Sequence, residues 1–301
     1  MLSRKQKHVL LKFFSLFSIV RGYNILVIAL AQYLTSIYIL APDLPLGSVV
    51  FDPNLLCLVL ASAAAIAGGY IINNFYDSEK DLINRPNKTM LDRIVSQQTK
   101  LSGYFILNLI SVVFASYVSF RAVAFFSIYV FMIWFYSHKL KKHPFIGNLV
   151  AAILAVIPFF AVFIYYGNFN HVIFVHATFL FLLIAMRELT KDLENIKGDL
   201  TQNYRTIPVV YGAKMSKQML SVLSIAALVP TVLLLTRYEI GYMYVYFLGS
   251  LAALIIFNLI LWKSTKKLHY IVLHTILKLI IVVGVFSIVL INVNVVLSRV
   301  L

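Results

Sequence analysis

Cysteine is almost absent from this chain. The single Cys57 sits in an apolar run, which excludes a disulfide framework or a cysteine zinc site and leaves a helix-packing role. Acidic residues are scarce as well: 11 Asp and Glu stand against 26 Lys and Arg, a formal net charge of +15. Charged residues of both signs make up only 12% of the chain, about half of what a soluble domain carries. The basic N-terminus is not followed by a short apolar segment with a small-residue cleavage site, so no cleavable signal peptide is expected. Apolar residues are what the chain has in abundance. They account for 61% of it, with a mean hydropathy of +0.89, against roughly 45–50% in soluble domains. This composition implies a polytopic membrane protein.

Nine apolar runs lie at 22–41, 54–76, 101–119, 122–138, 145–166, 171–189, 217–236, 240–262 and 272–298, most of them close to the roughly 20 residues that a bilayer demands. The expected fold is all-α, nine transmembrane helices in one bundle around a central apolar cavity, forming a single domain over 1–301. Residues 1–20 mix basic side chains with Leu11, Phe13, Phe14 and Phe17 and read as an interfacial amphipathic helix. Residues 77–100 and 190–216 read as cytoplasmic active-site loops. On this topology 22 of the 26 basic residues fall on one side, and Arg121, Arg237 and Arg299 on the other. Lys278 is assigned to the interface, with the ninth span starting at Leu279, because an unpaired charge deep in the bilayer is costly. The bias places the N-terminus and the acidic clusters in the cytoplasm, with a bacterial or archaeal cytoplasmic membrane as the expected location. It also explains the basic charge by orientation and lipid contact, so no nucleic acid partner is expected. Asn292 and Asn294 read as interhelical hydrogen-bond donors.

The few acids are clustered. Asn73, Asp77 and Asp81 recur every four residues, which puts them on one helical face where their oxygens converge. Oxygen donors of this kind suit a hard cation such as Mg2+, which completes its shell with water and phosphate oxygens. Arg85 follows at the helix end, placed to meet phosphate as a charge-assisted donor. A second set, Asp192, Asn195 and Asp199, has spacings of three and four and shares a face with room for a second metal. Glu194 lies off that face and reads as solvated or as an outer support. The bland alternative is a pair of solvated acidic turns at helix mouths. Two clusters at the same end of apolar helices, more than 100 residues apart, are nevertheless what a polyphosphate clamp needs. Their separation also suggests 1–160 and 161–301 as related halves.

These residues resemble the UbiA superfamily of membrane prenyltransferases, whose first motif has the form N-D-x-x-D-x-x-x-D followed by R-P. Asn73, Asp77, Asp81, Arg85 and Pro86 fill that pattern, with Asn74 in place of the usual Asp. The second motif is similar to D-x-x-x-D, with Asn195 where an Asp is usual and Asp199 in place, so Asp192 is a candidate to share the role of Asn195. Arg21 and Asn24 resemble the family's R-x-x-N. Tyr136 and Lys141 match its Y-S-x-x-L-K segment, and TIPVVYG at 206–212 resembles T-L-P-V.

The resemblance implies transfer of an isoprenyl group from an isoprenyl diphosphate, with Mg2+ as cofactor. It implies Asn73, Asp77, Asp81, Asp192, Asn195 and Asp199 as metal ligands, Asp77, Asp81 and Asp199 being catalytic. Substrate contacts fall to Arg21, Asn24, Arg85, Tyr136, Lys141 and Arg205. Arg21 and Arg205 also read as interface anchors, and Lys139 and Lys142 compete with Lys141. The segments INRP, LK, GN and TIPV are most similar to the branch that includes the digeranylgeranylglyceryl phosphate synthases, in which a glycerol hydroxyl becomes an ether. An aromatic acid of a quinone pathway is the other acceptor reading, and membrane lipids are expected partners in either case. An ion-coupled transporter and an inactive lipid-binding relative are the readings from other classes. Both clusters at one membrane face argue against the first, and the three Asp at the main positions against the second.

Overall fold

The computed structural model describes residues 4–292, so Asn294 and Arg299 lie outside the described residues. In chain order the α-helices are α1 (Arg4–Val20), α2 (Gly22–Thr35), α3 (Leu46–Val50), α4 (Pro53–Asn84), α5 (Pro86–Asp92), α6 (Gln97–Val118) and α7 (Phe120–His138). They continue with α8 (Ile146–Tyr166), α9 (His171–Thr201), α10 (Ile207–Ala226), α11 (Leu228–Arg237), α12 (Tyr244–Lys263) and α13 (Lys267–Ser287). No strand occurs among the described residues, and nine helical stretches there are long and apolar enough to cross a membrane. The chain is an all-α integral membrane protein.

The breaks between helices have local causes. Arg21 takes φ 51°, a left-handed backbone that ends α1 and starts α2 in a new direction. Ser96 caps α6 by accepting from Thr99 N at 3.1 Å, and Ser119, extended after α6, caps α7 by accepting from Ala122 N at 3.1 Å. Pro208 lies in the first turn of α10, and Gly212 at φ 80°, ψ 168° kinks that helix, which accounts for the apolar periodicity resuming only near residue 217.

The two segments expected as loops are largely helical. The helix α4 runs on through Glu79, Lys80, Asp81 and Leu82 to Asn84, Pro86 restarts the chain as α5, and α9 continues to Thr201. Their polar character marks the ends of long helices. At about 1.5 Å per residue a helix the length of α4 reaches roughly 48 Å, well beyond the ~30 Å hydrocarbon core. The last of these helices starts earlier than Leu279: α13 begins at Lys267 and carries Lys278 within it.

The chain forms two compact units that are not consecutive halves. One comprises residues 1–29, 53–142 and 197–204, the other 30–52, 143–196 and 205–301. In the first unit α4 packs against α6 and α7 through its small residues. Ser111 on α6 donates to Ala61 O at 2.8 Å. A Cβ on Gly68 would fall 2.8 Å from Asn108 Oδ1 and one on Gly69 2.8 Å from Ile133 Cγ2, so the two glycines give the facing side chains room to pack onto α4. The helix α1 belongs to this unit and keeps Phe13, Phe14 and Phe17 exposed. In the second unit a core of Leu183, Met186, Leu220, Phe247, Phe257 and Leu273 holds the later helices together. A cavity of about 130 Å3 in this unit is lined by apolar and aromatic side chains, among them Phe160, Phe163, Phe174, Phe179, Phe247 and the ring of His176.

Candidate active site

The last turns of α4 supply most of the site in the first unit. The four-residue spacing of Asn73 and Asp77 aligns their side chains, and Lys141, in the short 3-10 turn after α7, reaches both. Its Nζ donates to Asp77 Oδ1 at 2.8 Å and to Asn73 Oδ1 at 3.2 Å. Lys141 and Asp77 are only 8% and 5% exposed, so this is a buried ion pair and not a surface anchor. Removing one partner from such a pair leaves an uncompensated charge and costs about 3–5 kcal/mol.

Asp199, 1% exposed, comes from the C-terminal end of α9. Lys80 Nζ lies 3.4 Å from Asp199 Oδ1 and 3.4 Å from Asp77 Oδ1, so one ammonium bridges the acids of both motifs. Beyond α9, Asn203 takes φ 57°, a left-handed conformation that asparagine tolerates. The turn it makes lets Tyr204 N donate to Asp199 O at 2.8 Å. The Tyr204 hydroxyl then donates to Asp77 Oδ1 at 3.1 Å, and its ring lies 4.4 Å from Lys80 Nζ and 5.4 Å from Lys142 Nζ. Burial, followed by the charge of Asp77, pushes the Tyr204 phenol above its ordinary pKa, so it remains a donor. Gly198 fixes this end of α9: its N–H donates to Asn84 Oδ1 at 3.1 Å, and a Cβ there would fall 2.3 Å from Asn84 Nδ2.

Other expected residues have definite places. Asp81 and Arg85 are half-buried, one at the end of α4 and the other between α4 and α5, and Tyr136 is half-buried on α7. Asn24 donates to the Tyr70 hydroxyl at 3.3 Å, and the Arg21 guanidinium lies 5.0 Å from the same ring. Asn74, which stands where the family pattern has Asp, is a structural tie. It donates to Asp92 Oδ2 at 2.9 Å, and Asp92 also accepts from Ser18 and Lys88. The second unit holds Asp192, which accepts from Asn148 Nδ2 at 2.9 Å, and the buried Asn195, whose Oδ1 has no hydrogen-bond partner. Arg205 is exposed at the start of the next connection. Glu194 is not solvated as its position off the face suggested; it is buried, with His274 Nδ1 3.3 Å from its Oε2, because α13 packs over that side of α9.

The donor set fits a hard divalent ion: Asp77, Asp81, Asp199 and Asn73 offer carboxylate and amide oxygens, and the Lys80 ammonium already occupies a cation position between two of them. Among the described residues no three His, Cys, Asp or Glu side chains converge on one point. Amide, water or diphosphate oxygens would therefore complete the shell, as Mg2+ favours. Lys80 and Tyr204 went unnoticed as site residues in the sequence. The three-residue spacing of Lys80 from Asp77 was the only local signal for it, and Tyr204 had none.

Comparison with known proteins gives the chain's family and fold. The profile of the UbiA prenyltransferase family matches residues 23–292. The chain is 31% identical over 231 residues to digeranylgeranylglyceryl phosphate synthase of Thermococcus sibiricus, covering 76% of this chain and 80% of that protein. It is 26% identical over 241 residues to the synthase of the same name from Sulfurisphaera tokodaii, covering 78% and 82%. A solved digeranylgeranylglyceryl phosphate synthase shares the fold at a TM-score of 0.70 and 20% identity, over 93% of this chain and 98% of that one. A UbiA homologue from Archaeoglobus fulgidus, solved with GPP and Mg2+, does so at 0.66 and 16%, over 91% and 99%. With both motifs in place and the family profile spanning nearly the whole chain, this protein is a prenyltransferase of the UbiA family.

Proposed function

We propose that the protein transfers an isoprenyl group from an isoprenyl diphosphate to the hydroxyl of a glycerol phosphate ether precursor, with Mg2+ as cofactor. The observation that carries the reading is the meeting of Asp77 and Asp199, one from each motif, around a single cation. The similarity to digeranylgeranylglyceryl phosphate synthases favours the ether-lipid acceptor over an aromatic acid.

When bound, Mg2+ would be held in the first unit by Asn73, Asp77, Asp81 and Asp199, and would neutralise charge on the leaving diphosphate. The chain's own residues do the rest. Arg85 and Lys141 hold diphosphate oxygens through charge-assisted hydrogen bonds. Tyr204 and Asn73 fix Asp77 and Lys141 in place, so that little reorganisation is needed as charge develops. The bond between C1 and the diphosphate oxygen breaks with its electron pair going to diphosphate, and the acceptor hydroxyl oxygen bonds to C1 as its proton passes to solvent. Arg21, Asn24 and Tyr136 orient the acceptor. The basic residues set the site at the cytoplasmic face.

The test is an assay in detergent with radiolabelled geranylgeranyl diphosphate and Mg2+, offering geranylgeranylglyceryl phosphate and 4-hydroxybenzoate in parallel. Product is expected on the glycerol phosphate, lost on chelation and reduced at least 100-fold in Asp77→Ala and Asp199→Ala. Product on the aromatic acid alone would overturn the acceptor and keep the chemistry.

A further inference from the structure

The Lys80 ammonium is enclosed on three sides by Asp77, Asp199 and the face of Tyr204. Its side chain is 15% exposed, so it is not a solvated surface lysine that happens to lie near an acid. Asp77 and Asp199 face two ammoniums in the first unit's site, Lys80 and Lys141, both within 3.4 Å of Asp77 Oδ1. Asn74 and Asn195 meanwhile put neutral amides where the family's motifs carry acids, and Asn74 is committed to Asp92. The two motifs thus carry fewer negative charges than the family's pattern calls for, and the first unit's site holds one resident cation that those motifs do not specify. A second divalent ion on the Asp77 and Asp199 pair would have to displace Lys80 or lie against it, and the two like charges would repel.

We propose that Lys80 is a built-in counter-cation that takes the place of one divalent ion between Asp77 and Asp199, so that this chain binds one metal ion per diphosphate instead of two. This rests on the prenyltransfer reading above. Lys80 acts as a positioning residue: it keeps the acids of the two motifs together before any metal arrives.

The test counts bound Mn2+ by electron paramagnetic resonance on the full chain in detergent, titrated in the presence of geranylgeranyl S-thiolodiphosphate, which does not turn over. The wild-type chain is expected to saturate at about one ion, Lys80→Arg also at about one, and Lys80→Met at about two, since the methionine frees both carboxylates. Two ions on the wild-type chain, or a count unmoved by Lys80→Met, overturns the proposal. The elution volume of each variant in size-exclusion chromatography checks that it is folded, and Lys80→Arg keeps the count informative because it preserves the charge. Failure of the prenyltransfer reading is distinguishable: wild-type chain with one bound ion and no isoprenyl product from any acceptor would sink that reading and leave the ion count intact.

Discussion

Asn74 shows how a single residue can contradict its motif. Restoring the family's acid there would by pattern strengthen the site, but its amide donates to the buried Asp92 at 2.9 Å. Asn74→Asp would replace a hydrogen bond to a charged group, worth about 1.5–3 kcal/mol, with two carboxylates in contact. We expect Asn74→Asp to lower the unfolding midpoint in detergent, and Asn74→Asp with Asp92→Asn to recover most of the loss because the donor and acceptor are then exchanged. A single variant as stable as wild type would show that the tie carries no weight. Lys141 teaches the complementary lesson. The sequence leaves an anchor and a site residue equally open among three nearby lysines, and burial against Asp77 and Asn73 sets Lys141 apart from Lys139 and Lys142.

Among the elements, α4 and α9 do the positioning, because both carry polar turns beyond their apolar spans. Their mutual register in the first unit depends on Gly198 against Asn84. Gly198→Ala would drive a methyl into the Asn84 amide, an overpacking cost of about 1–3 kcal/mol, and would displace the adjacent Asp199. We expect Gly198→Ala to lose both stability and turnover, and Gly198→Ala with Asn84→Ala to regain stability by opening the space. If the double variant is no more stable than Gly198→Ala, the contact does not set the register. The extent of these helices could not be read from hydropathy, since polar turns past a membrane span look the same whether they are loop or helix. What decides between them is the helix-forming run Glu79 to Leu82, the restart at Pro86 and the packing that buries Asp92.

For the whole molecule, the basic bias of the sequence predicts which ends of the helices face the cytoplasm. The helix α6 offers a direct check, with Gln98 at its start and Phe120 just past its end, both exposed. With Cys57 replaced by Ala, Gln98→Cys should react with a membrane-impermeant maleimide in inside-out vesicles and Phe120→Cys in right-side-out cells; the reverse pattern would overturn the orientation. The helical class, the nine helices long and apolar enough to cross a membrane among the described residues and the alignment of Asn73 with Asp77 were legible in the sequence alone, because apolar length and four-residue spacing are local quantities that the backbone converts directly into spans and faces. Only the tertiary structure decided that Lys80 and Tyr204 join the two motifs, that Asn74 belongs to Asp92, that Glu194 is buried against His274, and that the compact units interleave along the chain. Those outcomes depend on which helix packs against which, and contacts between separate helical turns, 18 residues apart for Asn74 and Asp92 and 127 for Asp77 and Tyr204, leave no periodic trace in the sequence that makes them.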